Sequence, residues 1–125
     1  MLELTIDGKV YQFHFGMGFM REVNKKISQP VEGVAGASKN IGLQYMIAGI
    51  IDGDVEALVD VLDAANKTQS PRVTKQLLDS YIDNPETDID ALFEEVLDFL
   101  KQANATKKTV AFLLDAIERE KAKNN

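Results

Sequence analysis

The opening of the chain alternates between apolar and polar side chains, which is the pattern of a β-hairpin. Two short runs, residues 2–6 and 9–15, are joined by Asp7-Gly8, and Asp-Gly favours a two-residue turn in which both positions take a positive φ. This turn sets the register and places six large apolar side chains on one face: Leu2, Leu4, Ile6, Tyr11, Phe13 and Phe15. The other face carries Glu3, Thr5, Val10, Gln12 and His14. We therefore expect one face of the hairpin to be buried and the other to meet water.

After Gly16 the apolar residues recur every three or four positions, which is typical of amphipathic helices. The first predicted helix has these residues on its inner face and ends near Ser28: Phe19, Met20, Val23 and Ile27. Residues 29–37 contain one Pro and two Gly and are predicted to form a mobile loop. Ser38 is the predicted cap of a second helix, whose residues 41–51 are apolar almost all round. Such a helix is usually central, so we expect it to lie in the middle of the core.

A cluster of acids and one glycine separates the second helix from the third. Asp52-Gly53-Asp54 is predicted to end one helix and cap the next, with Asp60 and Asp63 facing water. The acids have the alternate spacing of a calcium loop, but Ala57 stands where that loop requires glycine,. Capping is therefore the better explanation of these carboxylates.

Further start and stop signals define the last three helices. Ser70-Pro71 predicts a helix start, because Pro is favoured at the first helical position, and Asn84-Pro85 predicts its end. Thr87, followed by an acid three residues later, begins the next helix in the manner of a capping box. Residues 104–109 interrupt that helix, and the last one gives way to the polar residues 119–125.

Length and composition favour one small folded unit. The chain has 125 residues, of which 45% are hydrophobic and 27% charged, enough to bury about two-thirds of the surface of the unfolded chain. We predict a single domain over residues 1–125, with the hairpin at 2–15, a helical region at 17–118 and a flexible polar tail at 119–125. The predicted fold class is mainly α (α+β), with an N-terminal two-stranded antiparallel hairpin packed on a bundle of about five to six short helices.

Charge and composition exclude several classes of function. The net charge of −6 opposes binding to nucleic acid, which requires a basic face. No apolar run approaches the roughly 20 residues of a membrane span, and Met1 leads into a strand rather than a signal peptide. Cysteine is absent, which excludes disulfides and thiolate chemistry. We therefore expect a cytoplasmic protein without nucleic-acid or membrane partners.

The residues also offer no recognisable catalytic constellation. His14, the single histidine, is predicted on the wetter face of the hairpin without a partner. Gly16-x-Gly18 is similar to the start of a dinucleotide-binding fingerprint, but Arg21 stands at its third glycine position and the preceding strand belongs to a hairpin. We therefore predict no enzyme, no cofactor and no metal site, and a protein that works by binding.

Three large apolar residues lie off the main stripe of their helices: Val61, Phe99 and Phe112. One interpretation is that these helices are packed between layers and bury more than one face. The other is that the three side chains form an apolar surface that meets another protein, because exposed apolar patches mark interfaces. On this second interpretation, they are the candidate partner-binding residues.

The opening of the chain resembles that of a known family. After the first strand and the Asp-Gly-Lys turn, the residues that carry the resemblance are Tyr11-x-Phe13-x-Phe15-Gly16-x-Gly18-Phe19-x-Arg21-Glu22. They are similar to the start of the tail assembly chaperones of long-tailed (siphovirus-type) phages and prophages of Gram-positive bacteria. Two later segments are similar to the middle and end of that family: Gly53-Asp54-Val55-x-Ala57-Leu58 and Leu92-Phe93-x-x-Val96-Leu97-x-Phe99-Leu100.

This resemblance implies a non-catalytic chaperone of the host cytoplasm that is absent from the mature virion. It implies that the partners are the tape measure protein, which the chaperone coats, and the major tail (tube) protein, whose subunits it recruits during tail assembly. Repeated copies along one client also imply self-association. Two alternatives remain: a structural tail or head-completion protein that stays in the particle, and a host-encoded protein-binding adaptor.

Overall fold

A hairpin, a second short strand pair and six helices make up the described part of the chain. The computed structural model describes residues 1–26, 28–30 and 38–123. Its strands are β1 (Leu2–Ile6), β2 (Lys9–Phe13), β3 (Ser28–Pro30) and β4 (Ser38–Asn40). Its helices are α1 (Met17–Asn24), α2 (Gly42–Asp52), α3 (Val55–Asn66), α4 (Lys75–Asp83), α5 (Ile89–Gln102) and α6 (Lys107–Lys123). The predicted mainly α (α+β) architecture with an N-terminal hairpin is confirmed.

The hairpin has the predicted turn, register and faces. Leu2 lies opposite Phe13, and the turn residues Asp7 and Gly8 have φ values of 53° and 77°. All six apolar side chains of the predicted inner face are buried, whereas Val10 on the other face is exposed. A local turn signal therefore determined which face of the ribbon packs on the helices, because a shift of one residue would invert both faces.

The start of α2 is positioned by α1. Gly42, the first residue of α2, lies so close to α1 that an added Cβ would be 1.8 Å from the carbonyl oxygen of Val23. The N–H of Leu43 donates to Oδ1 of Asn24 at 2.9 Å, so a side chain of α1 satisfies an N–H that the first turn of a helix leaves free. The predicted cap, Ser38, is wrong because this residue is part of β4.

The strand pair β3–β4 occupies part of the segment predicted as a loop at residues 29–37. Its two strands are antiparallel, with Pro30 opposite Ser38. The rest of that predicted loop, residues 31–37, lies outside the described residues, as does Ile27, which the sequence pattern assigned to the first helix.

Two helices, α2 and α3, lie at the centre of the fold. α2 contacts α1, α3, α5 and α6, in agreement with its predicted central position. α3 contacts β2, α1, α2 and α4, and its side chains Leu58, Val61 and Leu62 have no exposed surface. α2 is apolar nearly all round, yet its Tyr45 is 62% exposed. Apolar composition therefore indicates how much a helix could bury, but a side chain on an uncovered side of the helix, such as that of Tyr45, stays exposed.

The start of α4 lies later than predicted. α4 begins at Lys75, where Oγ1 of the cap residue Thr74 accepts from the N–H of Leu77 at 3.1 Å. The predicted start at Ser70-Pro71 is wrong, because the side chain of Asn66 binds the backbone of the connecting segment and holds it out of the helix.

The start of α5 is also capped by a residue other than the predicted one. Asp88 is the cap, and its Oδ1 accepts from the N–H of Ala91 at 3.0 Å. Thr87, the predicted cap, donates its hydroxyl to the carbonyl oxygen of Tyr81 at 2.7 Å. Thr87 therefore holds the α4–α5 connection against α4, and the neighbouring residue Asp88 caps α5.

The predicted break before the last helix is confirmed, but that helix is longer than predicted. α5 ends at Gln102 and α6 continues to Lys123, so the helix includes residues 119–123, which the sequence pattern assigned to the polar tail. The pair Arg119–Asp115, with 3.0 Å between Nη2 and Oδ2, has the i,i+4 spacing that supports exposed helices. Even so, no helix in the described residues combines the length and apolar character needed to cross a membrane.

Candidate partner-binding surfaces

The structure separates the three apolar residues that the helical pattern singled out. Val61 has no exposed surface, because α3 is covered by neighbouring elements on several sides. Its selection as a contact residue is therefore corrected: Val61 belongs to the core. Phe99 is partly buried against that core, whereas Phe112 is 64% exposed.

Phe99 connects α5 to the end of the hairpin. Its ring lies 6.0 Å, centroid to centroid, from that of Phe15, which in turn makes an edge-on contact of 5.2 Å with Phe19. The exposed part of Phe99 lines a small hollow of about 240 Å³ together with Met1 and His14. Phe99 is thus mainly a packing residue with one accessible edge, and His14 is exposed as predicted.

A groove with mostly apolar walls lies between α2 and α6. Its volume is about 310 Å³. The α2 wall is formed by Ala48, Ile51 and Asp52, and the α6 wall by Leu113, Ala116, Ile117 and Glu120. Each wall therefore presents small and branched apolar side chains with a single carboxylate.

Two exposed aromatic residues, Tyr45 and Phe112, are helical neighbours of alanines that line this α2–α6 groove. Tyr45 precedes Ala48 by three residues on α2, and Phe112 precedes Ala116 by four residues on α6. Residues at these spacings are neighbours on a helix surface. Large exposed aromatics beside an apolar groove are typical of protein interfaces.

A second groove, between α3 and α4, has a different character. Its volume is about 470 Å³, and its apolar lining residues are Val55, Val59 and Ile82. The charged lining residues are Glu56, Asp60, Lys75, Asp79 and Asp83. The Nζ atom of Lys75 donates to Oδ1 of Asp60 at 2.9 Å, and this hydrogen bond and the negative charge of Asp60 raise the pKa of Lys75 above its usual value.

A buried polar cluster at the end of α3 was not predicted from the sequence. Asp63, expected to face water, is only 8% exposed and its Oδ1 lies 3.3 Å from Nη2 of Arg72. Asn66 is fully buried and also accepts a hydrogen bond from Arg72. The sequence contained one indication of this burial. Asp63 and Asn66 flank Ala64 and Ala65, and small residues allow neighbouring elements to pack closely, so the adjacent polar side chains have little access to water.

Catalytic and metal chemistry receive no support from the described residues. Within them, no group of three or more His, Asp or Glu side chains is placed to hold a metal ion. Burial and the nearby charge of Glu95 raise the pKa of Tyr81, but Tyr81 has no catalytic partner that the sequence or the geometry identifies. The two grooves are the candidate surfaces for binding a partner.

The comparisons with known proteins identify the family. A family model described as phage tail assembly chaperone protein, TAC, matches residues 3–113, which include the hairpin, Phe99 and Phe112. No curated protein and no solved structure matches the chain. The match covers most of the chain and confirms the resemblance at the level of tail assembly chaperones. The chain belongs to the phage tail assembly chaperone family.

Proposed function

We propose that this protein is a non-catalytic chaperone that binds the tape measure protein and recruits tail tube subunits while the tail of a long-tailed phage of a Gram-positive host is assembled. The observation that carries the proposal is the family match over residues 3–113. Membership of this family implies partners among tail proteins and points to a non-enzymatic role. The opening segment around Tyr11 and Phe19 supports the narrower assignment, because it is the part that resembles chaperones of such phages.

The α2–α6 groove supports a helical client. An amphipathic helix binds an apolar groove through a stripe of side chains, and exposed aromatics beside the groove add contact area. The proposed contacts are Phe112, which is exposed, and the accessible edge of Phe99, which is partly buried. The acidic surface elsewhere, which gives the chain its net charge of −6, would keep a coated client in solution.

The proposal includes the location and assembly of the protein. It acts in the cytoplasm of the infected host, several copies associate along one client, and the finished virion lacks it. One domain carries the function, and this is supported by the single core cluster to which the hairpin and the helices α1 to α6 contribute.

Two measurements test this function. The chaperone should co-purify with the tape measure protein from cells that produce both, and mass spectrometry of purified virions should detect tape measure and tube proteins but not the chaperone. Detection in virions at a stoichiometry similar to that of tail proteins would instead support a structural tail or head-completion protein. Failure to bind any tail protein would favour a host adaptor and contradict the proposal.

Replacing Phe112 by Ser is expected to weaken client binding without loss of folding. Phe112 is 64% exposed, so its removal leaves the core intact, whereas loss of an energetically important interface residue costs more than about 1 kcal/mol, or about fivefold in affinity. The amount of tape measure protein retained by the immobilised chaperone measures this effect. Val10→Ser is the control, since Val10 is also an exposed apolar residue but lies on the outer face of the hairpin. Equal retention by wild type and the Phe112 variant would remove Phe112 from the contact surface.

A further inference from the structure

The α3–α4 groove combines an apolar floor with an excess of negative charge. On α3, Val55 and Val59 are four residues apart, so they lie on the same face, and Val55 is 42% exposed,. Ile82 supplies the apolar residue of the α4 wall and is only partly buried. Part of this apolar surface therefore remains accessible beside the charged side chains that line the same groove.

Most of the carboxylates around this groove have no cationic partner among the described residues. The carboxylate of Asp60 is paired with Lys75, whereas Glu56, Asp79 and Asp83 form no ion pair there and are exposed. The charge of Asp79 also acts on nearby Lys75, but the groove lining retains more carboxylates than cations. A cationic partner can therefore pair with these carboxylates without displacing an existing ion pair.

The position of Asp83 adds to the negative potential. Asp83 is the last residue of α4, and α4 has no basic residue in its last turn. The free carbonyl groups at a helix C-terminus carry partial negative charge, so a carboxylate there is unfavourable for the helix and a cation is favourable. Asp79 lies one turn earlier on the same side, so the two carboxylates and the helix end act together.

We propose that the α3–α4 groove binds a basic amphipathic helix of a partner protein, with apolar side chains on Val55, Val59 and Ile82 and Lys or Arg side chains on the free carboxylates. The volume of about 470 Å³ accommodates several side chains of a helical segment rather than one anchor. The charge excludes nucleic acid, whose phosphates would be repelled. This site is separate from the α2–α6 groove and goes beyond the proposed tape measure contact, so it predicts a second class of bound segment.

A designed peptide tests the proposal on the full chain. The probe is a helical peptide of about 14 residues with a Leu stripe flanked by Lys, and a Leu/Glu peptide of the same pattern is its negative counterpart. We expect the Leu/Lys peptide to bind, to shift backbone NMR signals of Val55, Val59 and Ile82, and to bind more weakly as salt is raised. The Leu/Glu peptide should not bind.

Paired charge variants separate this site from general attraction to an acidic protein. Asp79→Asn with Asp83→Asn should weaken Leu/Lys binding by about tenfold. The matched control is Glu94→Gln with Asp98→Asn, which removes two exposed carboxylates at the same spacing on α5 and should change binding by less than about twofold. The groove variant should also melt no lower than wild type, because its change relieves an unfavourable helix end.

Several outcomes would overturn the proposal. Equal weakening by both variant pairs would show attraction to net charge alone, and shifts confined to residues of the α2–α6 groove would place the peptide elsewhere. Absence of binding would also contradict it. None of these results depends on whether the protein coats a tape measure, so failure here and failure of the proposed function are distinguishable.

Discussion

Phe13→Asp is expected to abolish folding. Phe13 is fully buried in β2, the strand that packs on α3. Removing a buried Phe side chain costs about 3–5 kcal/mol, and a carboxylate without a partner in that site costs several kcal/mol more. Together these costs are comparable with the whole stability of a small domain, about 5–15 kcal/mol. Circular dichroism and thermal melting of the purified variant should show loss of the cooperative transition, or the variant should aggregate.

Val10→Asp is the control for this change. Val10 lies on the same strand and is also apolar, but it is on the outer face and 48% exposed. Its replacement introduces the same charge into water, so we expect a change in stability of less than about 1 kcal/mol. If the two variants melted at the same temperature, the assignment of hairpin faces would be wrong.

Asn66→Ala is expected to be the most destabilising change of a polar residue. The fully buried side chain of Asn66 donates from Nδ2 to the carbonyl oxygens of Gln12 at 2.9 Å and Pro71 at 3.1 Å. Its Oδ1 accepts from the N–H of Val73 at 2.7 Å. One side chain thus joins the hairpin, α3 and the connection to α4. Each buried backbone group left without a partner costs about 1–3 kcal/mol, so a loss of about 3 kcal/mol or more is expected in urea unfolding.

Two further variants distinguish the loss of this buried hydrogen-bond network from the loss of any polar side chain. Gln69→Ala removes a side-chain hydrogen bond between Gln69 and Thr68 at the surface and should cost less than about 1 kcal/mol. Asn66→Asp keeps the shape and the acceptor for Val73 but loses both donors, so it should also destabilise clearly. A small effect of both Asn66 variants would show that water replaces these bonds and that Asn66 does not hold the connection in place.

Local chemistry explains most of what the sequence predicted correctly. The turn at Asp7-Gly8 needs only the conformational preferences of two residues, and the cap at Asp54 accepts from the next backbone N–H groups, Glu56 at 3.0 Å and Ala57 at 3.4 Å. Gly53, with a φ of 77°, ends α2 as expected. These features involve neighbours within three residues, which the sequence contains in full.

The errors arose where a residue has a competing partner beyond the three or four positions that a local rule covers. Ser70-Pro71 satisfies the local rule for a helix start, but Asn66 competes for the same backbone and delays α4 until Lys75. Ser38 satisfies the rule for a cap, but it pairs in a strand and Asn24 supplies the side-chain acceptor instead. Local rules cannot predict which partner prevails, because the competing residue lies outside the few positions that each rule considers.

The exposure of the candidate binding residues also depends on packing that local sequence patterns do not describe. An apolar residue off the main stripe is exposed only if no further element covers that side of its helix. Phe112 on α6 is left uncovered, whereas Val61 on α3 is enclosed by neighbours. The α3–α4 groove also escaped prediction, because its acids lie on two helices that each present an ordinary solvated face.

The order of the residues is enough to derive the hairpin, its register, the helical character of the rest, the acidic charge and the resemblance to a chaperone family. The folded chain shows in addition that Asp63 and Asn66 are buried and that two grooves of opposite character lie on the bundle. This difference has a physical cause: turns, caps and periodicity depend on residues within a few positions, whereas burial depends on how many elements surround a side chain. The packing of the whole chain sets that number. Amphipathic helices with similar patterns therefore contribute to the core, to an apolar groove or to an acidic groove.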